Sequence, residues 1–290
     1  MSTQRRLPSP EQPLIVATSG GKDSTAMALW LRFESGLKNE MHFVFCDTQF
    51  EHSFTVEHLE RLEAKLEAKI IRVGNPLGFL GLAKKKGRFP SARARFCTEH
   101  LKVKPMAEWL KGQEYDAEHV VCQGIRADES VYRSGLDEWD LNETGRTNWY
   151  DTELWRPILR WTPDDVFACH KRHDFEPNEL YLRGQKRVGC FPCIMSTTGT
   201  LKTSFLLDPN LLDRLKEMEA EVGAANPRGI ATFFRPDRVP ERFHDAVDPK
   251  TGKSICTAQA VYDYLMGTDT IDMFDHSDVP TCMSQYGLCE

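Results

Sequence analysis

Two groups of residues in this chain have the types and spacing to do chemistry: a six-residue loop of small, hydroxylated and charged residues, and a set of cysteines. The loop is Ser19-Gly20-Gly21-Lys22-Asp23-Ser24. Paired glycines let a backbone turn tightly and aim its N–H groups at an anion without side-chain obstruction. A helix starting at such a turn adds partial positive charge, and Lys22 and the serines add donors. The expected chemistry is a phosphate cradle, which makes this a nucleotide-binding chain. It is not a Walker A loop, because Val16 stands where that motif needs a glycine five residues before the Gly21-Lys22 pair. A G-x-G-x-x-G dinucleotide fingerprint is absent as well.

The chain has nine cysteines, an odd number in 290 residues. A chain this long needs no disulfide staples, so its cysteines are expected to be buried, catalytic or metal-bound. Cys190 and Cys193 form a C-x2-C pair, and Cys282 and Cys289 a C-x6-C pair. Together they suit a four-thiolate site, and zinc and an iron–sulfur cluster both accept four thiolates. Cys46, Cys122 and Cys169 sit in apolar or helical surroundings and read as inert buried thiols. Cations gather between the two groups: Lys84-Lys85-Lys86-Gly87-Arg88, then Arg93, Arg95, His100, Lys102 and Lys104. The lysine run reads equally well as a solvated face, while Arg95 and Lys102 suit a ligand site, for a nucleotide phosphate or a nucleic-acid backbone. Arg126 follows an apolar run that stops at Gly124; it could hold a phosphate in two-pronged fashion, or pair with Asp128 or Glu129.

The elements that must position these residues follow from the hydrophobic pattern. Residues 14–18 form a short apolar run suited to a buried parallel strand, and helical spacing runs from Asp23 to Phe33. Further strands are expected at 41–46, 69–73 and 119–123, with a charged helix over 54–68 between the first two. That alternation indicates an α/β fold with a doubly wound parallel sheet. Residues 84–104 look irregular and lead into a helix ending near Lys111. Residues 134–153 read as a loop or insertion, with Trp139, Trp149 and Trp155 as packing residues. A helix over 161–172 has Thr162 as its cap and Pro163 at its first position. Helices are also expected at 208–223 and 257–266. The division is a nucleotide-binding domain over 12–175 and a cysteine-containing, partly helical region over 176–290 packed on it.

Composition sets outer limits. With 40% hydrophobic and 28% charged residues the chain sits near the globular average. A net charge of −6 argues against a general nucleic-acid coat protein, though not against a local basic groove. No apolar run approaches the roughly 20 residues needed to span a bilayer, and no signal-peptide stretch follows Arg5-Arg6, so a cytoplasmic location is expected.

The motifs taken together resemble a family. Ser19 to Ser24 is similar to the pyrophosphate loop of the ATP pyrophosphatases, the adenine nucleotide α-hydrolases. Phe45-Cys46-Asp47-Thr48, the stretch from Cys97 to Pro105 with Leu101-Lys102, and Gly124-Ile125-Arg126-Ala127-Asp128-Glu129-Ser130 narrow the resemblance to the phosphoadenosine phosphosulfate reductase-like branch. Pro157-Ile158, Trp161-Thr162, Asp165-Val166 and Arg187-Val188-Gly189-Cys190 to Cys193 complete it over about residues 12–200.

What the resemblance implies is ATP bound with its pyrophosphate in the loop, magnesium bridging the phosphates, and cleavage between the α and β phosphates. Lys22, Asp23, Lys102 and Arg126 would be the catalytic set, with Asp23 going with magnesium and loop geometry. Ser19, Gly20, Gly21, Ser24, Asp47 and Arg95 would join them around the nucleotide. The acceptor, a nucleic acid or a small molecule, would be adenylated and then attacked by sulfur or nitrogen. A sulfur-donor protein and a homodimer both stay open. Relatives that move sulfur favour a 4Fe–4S cluster over zinc on Cys190, Cys193, Cys282 and Cys289, with Cys97 as a rival ligand. One alternative is a reductase converting phosphoadenosine or adenosine phosphosulfate to sulfite. Such reductases usually end in Glu-Cys-Gly-Leu-His, whereas Gln285-Tyr286-Gly287-Leu288-Cys289-Glu290 stands here. A second alternative is a non-catalytic nucleotide-binding module of a larger assembly.

Overall fold

A computed structural model describes residues 5–115, 118–141 and 152–267. The chain runs β1 (Leu14–Thr18), α1 (Lys22–Phe33), β2 (Met41–Asp47), α2 (Ser53–Leu66), β3 (Ile70–Gly74) and α3 (Gly78–Lys86). Next come α4 (Phe96–Thr98), a π-helical turn over Glu99–Val103, α5 (Lys104–Lys111), β4 (Val120–Cys122), α6 (Val131–Ser134), β5 (Trp139–Leu141) and β6 (Glu153–Trp155). The remainder is α7 (Pro163–Arg172), α8 (Glu179–Leu182), α9 (Thr198–Leu207), α10 (Leu211–Ala224), the short β7 (Ala246–Val247) and β8 (Ser254–Ile255), and α11 (Ala258–Gly267). Among the described residues no helix is long and apolar enough to cross a membrane.

Six strands form one sheet in the order β3-β2-β1-β4-β6-β5, parallel except where β5 meets β6. Parallel strands need covering on both faces, and the side chains of β1 divide accordingly. Leu14 and Val16 join a core with α1, α2 and α7, while Ile15 and Ala17 join one with Val103, Met106 and Leu110. A third core packs Phe50, Phe79 and Leu101 against Leu180, Phe191, Phe205, Leu215 and Val261. Residues beyond 176 therefore share a core with the loops above β2 and β3.

The strand order reverses at β1, whose neighbours are β2 on one side and β4 on the other. Open α/β sheets form a crevice at the carboxyl ends of the strands flanking such a switch. The loops after β1 and β4 flank that crevice.

Two expectations need correction. The 134–153 stretch read as a loop, but it holds β5 and the first residue of β6, and Trp139 stacks on the buried Trp155 with ring centroids 5.4 Å apart. Three-residue strands are too short to show a period of two, so the pattern could not reveal them. The stretch 84–104 read as irregular. It contains the end of α3, stopped by Gly87 in a left-handed conformation, then α4 and the π-helical turn. The cap at residue 162 is as expected: Thr162 Oγ1 accepts from Asp165 N at 3.2 Å, with Pro163 in the first turn.

Candidate nucleotide and cysteine site

The loop after β1 is built from within. Gly20 has φ +78°, and a Cβ there would stand 2.8 Å from Thr55 Cγ2, so α2 presses against it where only glycine fits. Ser24 Oγ accepts from Ser19 N at 3.1 Å and donates to Gly21 O at 3.2 Å. Gly21 N donates to Ser19 Oγ at 3.3 Å. Three residues far along the chain hold the loop from outside. Asn178 Nδ2 donates to Gly20 O at 3.2 Å, the Tyr181 hydroxyl accepts from Lys22 N at 3.1 Å, and a ring nitrogen of His170 meets Lys22 O at 2.8 Å. Spacing in the sequence could not identify these three, because their relation to the loop is tertiary.

The charges at the start of α1 pair with one another. Asp23 is fully buried, and its carboxylate accepts from Arg126 Nε at 2.6 Å and from Lys22 Nζ at 2.8 Å. Arg126 also pairs with Asp128, and its backbone N–H donates to Glu129 at 2.9 Å. Burial works against the Arg126 charge, but Asp23 and Asp128 outweigh it and hold its pKa above the usual value. The guanidinium that could have gripped a phosphate is thus engaged by carboxylates. The physical reason is that a carboxyl buried as completely as Asp23 is costly without charged or hydrogen-bonding partners. Gly124 makes this approach feasible: a Cβ there would lie 2.6 Å from Ser24 Cα. Asp47 ends β2 and accepts from Gln49 N at 2.8 Å.

Beside the loop lies a cavity that draws its walls from distant segments. Thr18 and Ser19 reach it from the β1 end, and Cys46 and Glu51 from the β2 end. Arg95, Cys97 and Lys102 come from the basic segment, and Arg187, Cys190 and Cys193 from the chain after α8. The last segment is tied down: Phe191 N donates to Phe50 O at 2.7 Å, and Cys190 bridges to Glu51. Cys190 Sγ lies 3.5 Å from Thr48 Oγ1, whose hydroxyl donates to Glu51 at 2.6 Å. Cys193 Sγ accepts from Met195 N at 3.4 Å.

Burial pushes the Cys190 thiol well up, and the Cys46 thiol up to about 12, in each case against the pull of Lys102. Burial also raises Glu51, although the Thr48 hydrogen bond and Lys102 oppose it. Lys102 is itself only 9% exposed, which makes it a buried cation among thiols.

The site residues expected from sequence are therefore distributed as follows. Ser19, Arg95, Cys97, Lys102, Cys190 and Cys193 converge on the cavity; Lys22, Asp23 and Arg126 form the ion-paired group at the start of α1; Cys282, Cys289 and Trp149 lie outside the described residues. Cys97, Cys190 and Cys193 bring to one cavity the donor type that zinc and iron–sulfur clusters both take. Four thiolates at about 2.3 Å from zinc would lie within about 4 Å of one another. Among the described residues the cavity cysteines do not converge as a trio within 4.8 Å. The residues that do so are Glu34, Cys169 and His173 at the α1–α7 seam. There the Glu34 carboxylate accepts from Arg172 at 2.9 and 3.0 Å and meets His173 at 2.7 Å, an ion-pair network.

Residues 13–196 match the model of the phosphoadenosine phosphosulfate reductase domain. An uncharacterized 37.8 kDa protein of Escherichia phage 186 is 33% identical, with 95% of this chain and 96% of that protein aligned. Adenosine 5'-phosphosulfate reductase of Staphylococcus saprophyticus is 25% identical over 57% of this chain and 65% of its own length. Among solved structures, the phosphate complex of a phosphoadenylyl-sulfate reductase from Candida auris aligns with 62% of this chain and 82% of its own, at 18% identity and a TM-score of 0.48. The match to the domain model spans more than half of the chain, and on that basis the chain belongs to the phosphoadenosine phosphosulfate reductase domain family.

Proposed function

We propose that the chain is an ATP-dependent enzyme that cleaves ATP between the α and β phosphates and adenylates an acceptor for sulfur transfer. The observation that carries the reading is a single cavity lined both by Ser19 of the loop and by Cys97, Cys190 and Cys193, with Lys102 and Arg95 between them in the chain. A phosphate cradle beside thiols suits a reaction that joins phosphoanhydride cleavage to sulfur chemistry.

In this reading ATP enters as its magnesium complex, with pyrophosphate on the loop. An acceptor oxygen attacks the α phosphorus, the α–β bridge breaks, and pyrophosphate leaves with the bond electrons. A sulfur nucleophile then displaces AMP from the acceptor, forming the carbon–sulfur bond as the carbon–oxygen bond breaks. The protein's part is positioning and charge neutralisation. Asp23 and Arg126 act as positioning residues that fix the start of α1, and Lys102 supplies buried positive charge. Cys190 and Cys193, together with Cys282 and Cys289 or with Cys97 as a rival ligand, would hold a 4Fe–4S cluster, which when bound supplies a sulfur-ligated redox centre.

A second reading, a sulfonucleotide reductase, is favoured by the family and by relatives named adenosine 5'-phosphosulfate reductase. Anaerobically purified protein separates the two. The first reading expects iron, acid-labile sulfide and pyrophosphate released from ATP. Sulfite from phosphoadenosine phosphosulfate, without pyrophosphate from ATP, would establish the second in its place. Colourless protein with one zinc per chain would remove the cluster from either.

A further inference from the structure

The same cavity contains a cation that neither the nucleotide loop nor the cysteines use. Arg187 lines the wall three residues before Cys190, and its Nη2 is buried with no hydrogen-bond partner among the described residues. A guanidinium presents five N–H donors and is never deprotonated in a protein. A buried donor of that kind left unpaired is costly, and such groups in native proteins are ordinarily met by an acceptor.

The neighbouring polar groups on this wall do not turn to it. Gln185 Nε2 donates to Ser204 Oγ at 3.0 Å, Ser204 Oγ donates to Thr200 O at 2.9 Å, and Thr197 Oγ1 donates to Thr200 Oγ1 at 3.0 Å. The carboxylates in the cavity are also occupied. Glu129 pairs with Arg133 and accepts from Arg126 N, while Glu51 takes the Thr48 hydroxyl. Arg95, Lys102 and Arg187 bring three cationic side chains to the same cavity, a lining that suits an anionic ligand.

We propose that Arg187 is the oxyanion-binding residue of this cavity, gripping a phosphate- or sulfate-type group of a bound substrate beside the Cys190–Cys193 segment. The fork of a guanidinium matches such a group in two-pronged fashion. The inference rests on the proposed nucleotide reading only for the identity of the substrate. The anion could belong to the nucleotide itself or to the second substrate, and the two sources are separable.

The test is calorimetric titration of the full-length anaerobic protein with α,β-methylene ATP, and with inorganic sulfate or phosphate in the presence and absence of that analogue. Arg187→Met keeps the stem and removes the fork. Its expected effect is a loss of about tenfold to a hundredfold in affinity, the range for a hydrogen-bonded charge. A loss in affinity for the analogue assigns the anion to the nucleotide. A loss confined to inorganic oxyanion assigns it to the second substrate. Unchanged affinity for both, within about twofold, overturns the proposal, as does a lower melting temperature with unchanged affinities, which would make Arg187 a structural partner. Should Arg187→Met fail to fold, Arg187→Gln gives the same readout. Wild-type protein that binds oxyanion through Arg187 but no ATP analogue would defeat the functional reading and leave this inference standing.

Discussion

The two sides of the candidate site balance their polar groups in different ways. On the loop side, Asp23, Lys22, Arg126 and Asp128 neutralise one another, and the serine hydroxyls close on the loop's own backbone. On the cysteine side, the Cys190 thiol is forced toward its neutral form by burial and Arg187 Nη2 has no partner among the described residues. The protein itself holds the first arrangement together, so the loop has its shape before any ligand arrives. The second arrangement leaves a buried thiol and a guanidinium donor whose partners would come with what binds. Preorganisation and ligand dependence are thus divided between two segments about 170 residues apart in the chain, a separation read from Ser19 and Cys190.

The largest expected effect tests the loop side. Asp23→Asn leaves Lys22 and Arg126 facing a buried amide, and breaking a buried pair in this way costs about 3–5 kcal/mol. Urea unfolding checks it, and a loss below about 1 kcal/mol would show that the ion pairs are not what holds the loop.

A second test concerns the helical cover of the cysteine side. Glu219 in α10 accepts from Phe233 N at 2.7 Å and from Ala258 N at 3.0 Å, and burial pushes its carboxyl up from 4.5 to about 7 despite these bonds. The unfolded chain releases this proton near the lower value and the folded chain near the higher one. The contribution is therefore complete below the unfolded pKa and is lost as pH rises through the folded one, about 3 kcal/mol in all. Glu219→Gln should flatten that part of the stability–pH profile; an unchanged slope would place the proton elsewhere.

A smaller loss, about 1–3 kcal/mol, is expected for Gly20→Ala, where a left-handed backbone and the Thr55 methyl both oppose a Cβ. Cys190→Ser should cost least in stability, about 1 kcal/mol or below, yet iron and acid-labile sulfide should fall sharply. If Cys190→Ser unfolds the protein while Gly20→Ala does not, the division between the two sides is reversed.

The parts legible in the sequence were those with local causes. A buried parallel strand ending in Gly20-Gly21 fixes where the sheet stops and α1 begins, and Thr162-Pro163 starts α7 through a cap contained within four residues. The convergence of Lys102 and Cys190 was legible only through the family pattern. Three features were hidden for physical reasons. Strands β5 and β6 are too short for periodicity. The supports from His170, Asn178 and Tyr181 depend on how α7 and α8 return to the loop. The partner of Arg126 was ambiguous because Asp23, its buried counter-charge, lies 103 residues away.

The central claim is that nucleotide and cysteine chemistry share one cavity. Its most direct test is the rate at which Cys97 and Cys193 of metal-free full-length protein react with a maleimide, read by peptide mass, with and without α,β-methylene ATP. Both are partly exposed and line the cavity, so a shared site expects their modification to slow in proportion to the fraction of protein holding the analogue. Equal rates at saturating analogue, with binding confirmed separately, would place the nucleotide elsewhere and contradict the account.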